Sequence, residues 1–173
     1  MLSAAQLIQT LQYHQQIYND TGSSNRTVLL ASKASILEVC GWVEQAMDLL
    51  VNECANRCRL SPPRLKSVVD DYVGQTYGFQ YKRHFERMLT AVVGFKVLEQ
   101  IEAAVPAEIA ALKGLLGSLN VLRGHYAHTH FDENAPYPPG LTSIPTPSLM
   151  IAHANTANIG LTAIELKLKA AGF

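Results

Sequence analysis

The 173-residue sequence predicts an all-α fold, a helical bundle of about five to six helices with a long proline-rich connection before the last helix. Three observations lead to this prediction. Apolar side chains recur every three or four residues through most of the chain, which is the spacing that gives a helix one buried face. No segment shows the strict alternation of a half-buried strand, and no internal repeat is present. Prolines, glycines and short polar stretches separate the helical segments.

The first two helices are predicted over residues 2–19 and 26–58. The polar loop DTGSSN lies between them, and its Ser and Asn residues are suited to capping the second helix. Residues 26–58 are apolar on too many sides for one narrow stripe, which is typical of a central helix.

The third helix is predicted over residues 62–73, where Ser61-Pro62-Pro63 supplies a start signal. Glycines at 74 and 78 end it. A longer helix follows over residues 80–104, and Pro106 opens the next, predicted over 106–130 with a leucine-rich face. The last helix is expected at 148–171. The stretch 132–147 before it is irregular and contains five prolines: Pro136, Pro138, Pro139, Pro145 and Pro147.

Length and charge limit the classes of function. Residues 1–173 fit one domain, and no linker marks a second. Lys plus Arg equals Asp plus Glu at 14 each, which argues against strong nonspecific nucleic-acid binding. Charged residues make up only 16% of the chain, so a subunit interface is expected to bury part of the surface. Two local basic patches are interpreted as solvated helix faces, namely Arg57, Arg59, Arg64 and Lys66, and Lys82, Arg83, His84 and Arg87.

The lack of a recognisable targeting signal and the cysteine pattern predict a cytoplasmic protein. No signal peptide or uninterrupted apolar run of transmembrane length is found, so no membrane partner is expected. The three cysteines, Cys40, Cys54 and Cys58, read as reduced thiols. Cys54 and Cys58 share a helix face, but without a second pair they are interpreted as ordinary packed cysteines rather than as metal ligands.

The chemistry-bearing segment is Leu-Arg-Gly-His-Tyr-Ala-His-Thr-His at 122–130. Arginine presents a permanent, planar fork of donors that suits phosphate, and histidine transfers protons near neutral pH. Arg123 is therefore predicted to hold a scissile phosphate, and His128 to act as general acid or base. His125 or His130 would serve the other half of the proton exchange.

Helix geometry leaves the partners within this segment open. On an intact helix Arg123 and His128 would point about 140° apart, whereas Arg123 and His130 would be nearly eclipsed. His125 and His128 would be neighbours. The charged Glu44 on the apolar second helix is a candidate ion-pair partner for the cluster. Exposure of Glu44 to solvent would account equally well for a charged residue at this position.

Two further interpretations of the segment stand beside catalysis. Cationic side chains at a helix C-terminus stabilise the helix by themselves, through its dipole and free carbonyls. His125, His128, His130 and Asp132 are also metal-ligand types at close spacing, although an intact helix would point His130 away from the others. No metal or other cofactor is predicted.

The segment Arg123-x4-His128, with Ala127 before the histidine, resembles the motif of the HEPN domain family. The central helix segment Ile36-Leu37-Glu38-Val39-Cys40-Gly41-Trp42-Val43-Glu44-Gln45-Ala46 is similar to the RiboL-PSP-HEPN group within that family. The resemblance implies a metal-independent RNA endonuclease, with Arg123 and His128 at the two motif positions. It also implies a homodimer with the motif at the dimer cleft, in a toxin–antitoxin or phage-defence setting with an antitoxin partner.

The chain departs from the family's pattern at two positions. Gly124 follows the motif arginine, where the family often has Asn, Asp or His. His130 stands where regulated members often carry a tyrosine that is modified to silence them. Gly124 and the zero net charge motivate the alternative, a non-catalytic HEPN-like module that binds nucleotide, RNA or a protein partner. A third hypothesis is a dimerisation subunit whose Arg/His cluster only caps a helix.

Overall fold

The computed structural model describes residues 3–130 and 143–173, and over these residues the chain is helical with no strand, which confirms the all-α prediction. The described residues include two π-helical turns, at Val68–Val73 and at Tyr81–Phe85. The described part contains seven α-helices: α1 (Ala5–Asn19), α2 (Asn25–Arg57), α3 (Pro62–Ser67), α4 (Glu86–Val93), α5 (Phe95–Ala104), α6 (Pro106–Tyr126) and α7 (Pro147–Ala170).

The predicted capping and proline signals stand at the starts of α2, α3 and α6. The backbone N–H of Thr27 donates to the Ser24 hydroxyl at 3.2 Å, so a serine of the predicted polar loop caps α2. The α7 start is capped in the same way, since the N–H of Leu149 donates to the Thr146 hydroxyl at 3.3 Å. Ser61 stands at the N-cap position of α3 without a side-chain capping bond.

The prediction of one continuous helix over residues 80–104 is wrong. The segment begins as a π-helical turn and breaks at Gly94, whose φ of 80° and ψ of 160° interrupt the helix between α4 and α5. A positive φ is readily available to glycine, so the break has a local cause. This break raises the helix count in the described residues above the predicted five to six.

The described residues divide into two compact units. The first unit comprises Val43–Gly117 and Thr156–Phe173, and the second comprises Ser3–Trp42 with residues 118–130 and 143–155. The unit boundaries fall inside α2, α6 and α7.

Within the first unit, α4 contacts α5 and both π-helical turns. A Cβ at Gly160 would lie 2.9 Å from the Cβ of Leu112, so glycine permits the close approach of α7 to α6 there. The Arg57 guanidinium donates to the Phe173 carbonyl at 2.7 Å and ties the α2 end to the chain end. Fully buried apolar side chains of this unit include Met47, Leu50, Phe79, Phe85, Met88, Leu89, Leu112, Leu116, Leu161 and Ile164.

Within the second unit, side chains of α2 reach neighbouring elements. The Trp42 indole N–H donates to the Ser3 carbonyl at 3.3 Å, and the Cys40 thiol donates to the Leu119 carbonyl at 3.8 Å. The His14 ring of α1 lies 3.0 Å from the Ser35 hydroxyl. Buried apolar side chains of this unit include Leu7, Leu11, Ile36, Val39, Leu119, Tyr126, Met150 and Ala154.

The predicted proline-rich connection lies mostly outside the described residues. Its described end, residues 143–146, is not helical and leads directly into α7.

No described helix is by itself both long and apolar enough to cross a membrane. The consecutive helices α5 and α6 reach that threshold only as a pair, and they are bent by 104° at their junction.

Candidate functional site

The predicted site residues cluster at the C-terminal end of α6, in the second unit. The helix ends at Tyr126, four residues earlier than predicted. Arg123 and His125 therefore stand in the last helical turn, while His128 lies in the following turn and His130 beyond it. The near-eclipsed arrangement of Arg123 and His130 that an intact helix would give does not apply, because His130 lies beyond the helix end.

The turn after α6 has a simple hydrogen-bonding cause. The N–H of Ala127 still donates to the Arg123 carbonyl at 2.8 Å, but the N–H of Thr129 turns to the Tyr126 carbonyl at 3.4 Å. The Thr129 hydroxyl also donates to the His125 carbonyl. These bonds satisfy the terminal carbonyls and direct the chain away from the helix axis.

Tyr126 anchors this helix end. Its side chain is fully buried, and its hydroxyl donates to the Ser143 carbonyl at 2.9 Å. Because successive helical residues are rotated by about 100°, burial of Tyr126 turns its neighbours towards the surface. His125, His128 and His130 are exposed, and Arg123 is half-buried.

Lys33 is a residue of this site that the sequence analysis missed. Its ammonium donates to the Thr129 carbonyl at 2.5 Å, between His128 and His130, and so adds a cation from α2 to the helix end. The contact joins residues 96 positions apart, which no local pattern reveals. The signal available was a lone lysine on an otherwise apolar stretch of the central helix.

Glu44 belongs to the first unit, where its charge acts on the titratable groups of Asp48 and His84. Burial, reinforced by the Glu44 carboxylate, raises the pKa of Asp48 to about 6. Burial also lowers the pKa of His84, as does Arg83, and Glu44 opposes that shift. The predicted pairing of Glu44 with the Arg/His cluster stays a prediction.

The metal interpretation is partly outside the described residues, because Asp132 lies there. Within residues 3–130 and 143–173, no three His, Cys, Asp or Glu side chains are grouped closely enough to hold a metal ion.

The remaining histidines of the second unit differ from the exposed three. The Ser35 hydroxyl donates to the Ala31 carbonyl at 2.8 Å, so the Nδ1–H of His14 is the donor in its contact with Ser35. Burial lowers the pKa of His14, although Glu38 opposes the shift, and burial lowers the pKa of His153. Both histidines are half-buried, unlike the three at the end of α6.

The cysteines carry no disulfide, and Cys40 and Cys54 are buried. Burial and the neighbouring Cys58 raise the pKa of the Cys54 thiol to about 12. A thiol with so high a pKa is not a nucleophile at neutral pH.

Comparisons with protein-family models, with curated proteins and with solved structures gave no match to this chain.

The helix end thus combines a half-buried guanidinium, an ammonium group and three exposed imidazoles on a turn fixed by Tyr126. Such a set is suited to binding an anion and exchanging protons with it.

Proposed function

We propose that this protein is an RNA endonuclease of the HEPN type that needs no metal ion, with Arg123 and His128 as its catalytic residues. The observation that carries the proposal is the exposure of three imidazoles beside Arg123 on a helix end held by a buried tyrosine. The all-α fold is consistent with the family resemblance of the Arg-x4-His segment.

The reaction assigns each residue a separate task. The RNA 2′-hydroxyl attacks the adjacent phosphorus and gives up its proton, and the 5′-oxygen leaves and takes a proton. The products are a 2′,3′-cyclic phosphate and a free 5′-hydroxyl. Arg123 neutralises the charge that develops on the phosphate oxygens. His128 moves one of the two protons, and His125 or His130 moves the other.

Lys33 has a positioning role in this proposal. Its bond to the Thr129 carbonyl fixes the backbone between His128 and His130, and its charge adds to the potential that attracts phosphate. Within a homodimer, a second copy of the same helix end would complete the cleft, and an antitoxin partner would block it.

The test is cleavage of a mixed RNA pool by the purified protein in EDTA. Removal of a general acid–base residue costs about 10²–10⁴ in rate, so we expect His128→Ala to lose cleavage by that factor. We expect Arg123→Ala to lose at least about 10²-fold, and Arg123→Lys to lose less because it keeps the charge without the fork.

The matched control for charge is Arg64→Ala, an exposed arginine of the first unit, which should cleave like the wild type. The matched control for chemistry is the same RNA with 2′-O-methyl groups, which has no nucleophile. Wild-type rates in both Arg123→Ala and His128→Ala would refute the proposal. RNA binding without cleavage in any variant would favour the non-catalytic module instead.

A further inference from the structure

A second cationic site lies in the first unit, beside the π-helical turn Tyr81–Phe85. A cavity of about 370 Å³ opens there, at the lower end of the range of about 300–1,000 Å³ that is usual for small-molecule sites. Its charged lining consists of Lys82 and Arg83 from the turn, Glu86 from α4 and Lys113 from α6.

The π-helical turn decides which side chains face the cavity. The N–H of Phe85 donates to the Gln80 carbonyl at 3.3 Å, one residue further back than in an α-helix. Tyr81 and Phe85 are buried, and their rings meet edge to face with centroids 5.6 Å apart. Lys82 and Arg83, which stand between Tyr81 and Phe85 in the sequence, are exposed. Single π-helical turns are frequent at functional sites.

Lys113 is held in place on the α6 side of the cavity. Its ammonium lies 3.1 Å from the Glu102 carboxylate and 4.5 Å from the centroid of the Tyr81 ring. The two contacts hold a long, flexible side chain in one position, so the Lys113 ammonium is preorganised before any ligand binds.

The balance of charge at the cavity is positive. Lys82 and Arg83 form no ion pair with any of the described residues, and Glu86 is the acidic side chain of the described lining. Glu102, which is not among the lining residues, offsets the charge of Lys113. The described lining thus sets a guanidinium fork and two ammonium groups against the single carboxylate of Glu86, and this excess of cations suits a phosphate group.

We propose that this cavity binds a phosphate group, either of a free nucleotide or of the backbone of an RNA strand. Arg83 holds two phosphate oxygens, and Lys82 and Lys113 supply the remaining charge. The site uses none of the residues assigned to catalysis, so this inference does not rest on the proposed nuclease activity.

The experiment measures binding of two probes to the full chain. Adenosine 5′-monophosphate is titrated by calorimetry, and a fluorescein-labelled 2′-O-methyl uridine decamer, which cannot be cleaved through its 2′-oxygen, is titrated by fluorescence anisotropy. Arg83→Glu reverses a charge at the cavity. Arg87→Glu reverses the charge of an exposed arginine four residues on that does not line it.

We expect Arg83→Glu to weaken binding at least about tenfold and Arg87→Glu to change it less than about threefold. If Arg83→Glu loses binding of the monophosphate, the cavity is a nucleotide site. If this variant loses binding of the decamer alone, the cavity contacts the RNA backbone. Lys82→Glu provides a second variant if Arg83→Glu fails to fold. No binding of either probe to the wild type, or equal effects at positions 83 and 87, would overturn the proposal.

His128→Ala separates this inference from the nuclease proposal. A phosphate site at the cavity predicts that this variant binds adenosine monophosphate like the wild type, whether or not the wild type cleaves RNA. A loss of monophosphate binding in His128→Ala equal to that in Arg83→Glu would place the ligand elsewhere and overturn the inference.

Discussion

Two cationic segments of similar composition use histidine in different ways. At the π-helical turn of the first unit, His84 is half-buried and its Nδ1 accepts the N–H of Gln80 at 3.1 Å. At the α6 end of the second unit, His125, His128 and His130 are exposed. A cluster of Lys, Arg and His in a sequence therefore does not by itself indicate which side chain meets a ligand.

The difference has chemical consequences. An Nδ1 that accepts a backbone N–H leaves the proton of neutral His84 on Nε2, so neither nitrogen has a lone pair available to a substrate. The packed histidine shapes the turn, and the neighbouring Lys82 and Arg83 carry the exposed charge. At the α6 end the packed residue is Tyr126, and the histidines are left at the surface. The first arrangement suits the binding of an anion, and the second suits proton transfer.

The largest expected difference between the two regions is in the free energy of unfolding when a glycine in each is replaced by alanine. Gly78 has a φ of 130°, and a Cβ there would lie 2.7 Å from the His84 ring, whereas a Cβ at Gly124 in α6 meets nothing within 4 Å. We expect Gly78→Ala to lower the free energy of unfolding by about 3 kcal/mol through strain and overlap. Gly124→Ala should raise it by about 0.5–1 kcal/mol through helix propensity. Urea unfolding of both variants measures this, and equal effects would show that His84 does not fix the turn.

A smaller effect tests the coupled charges near His84. The pKa of Asp48 is raised to about 6 from 3.8, so its ionised form destabilises the fold above that pH. We expect Asp48→Asn to raise the free energy of unfolding by about 1–2 kcal/mol at pH 8, since partial solvent screening reduces the full value. The gain should shrink as the pH falls through 6 and vanish below 3.8.

The measurement is urea unfolding of wild type and Asp48→Asn at pH 8 and at pH 3.5. The lowered pKa values of His14, His84 and His153 also make stability fall below about pH 6.5, but this loss is common to both proteins and cancels in the difference. A gain at pH 3.5 as large as the gain at pH 8 would contradict the assigned shift of Asp48.

Much of the fold was predictable because its signals are local. Pro62 and Pro106 open helices where predicted, and Ser24 caps α2 from the predicted loop. The break at Gly94 was missed because the apolar period of α4 continues into α5, and a single glycine inside such a period does not reveal its φ. The π-helical turns were missed because a shift of one residue in a hydrogen bond leaves no mark in the sequence.

The candidate site was predictable in its residues and less so in its geometry. Arg123 and three histidines stand out by type in a chain of low charge. The position of the helix end was not predictable, because it depends on Thr129 bonds and on Tyr126 reaching Ser143 beyond a long connection. The contact of Lys33 with the Thr129 carbonyl was not predictable for the same reason, because it also depends on tertiary structure.

The smallest expected effect tests whether the buried tyrosine holds the exposed histidines. Tyr126→Phe removes the hydroxyl that donates to the Ser143 carbonyl at 2.9 Å, and we expect a loss of about 1 kcal/mol in the free energy of unfolding. If the helix end is preorganised for catalysis, RNA cleavage should also fall by about threefold, because the imidazoles lose their fixed positions. Tyr13→Phe, at an exposed tyrosine of the same unit, is the control and should change neither quantity. A destabilised Tyr126→Phe protein with undiminished cleavage would show that Lys33 and Thr129 suffice to hold the turn, and that Tyr126 serves the core alone.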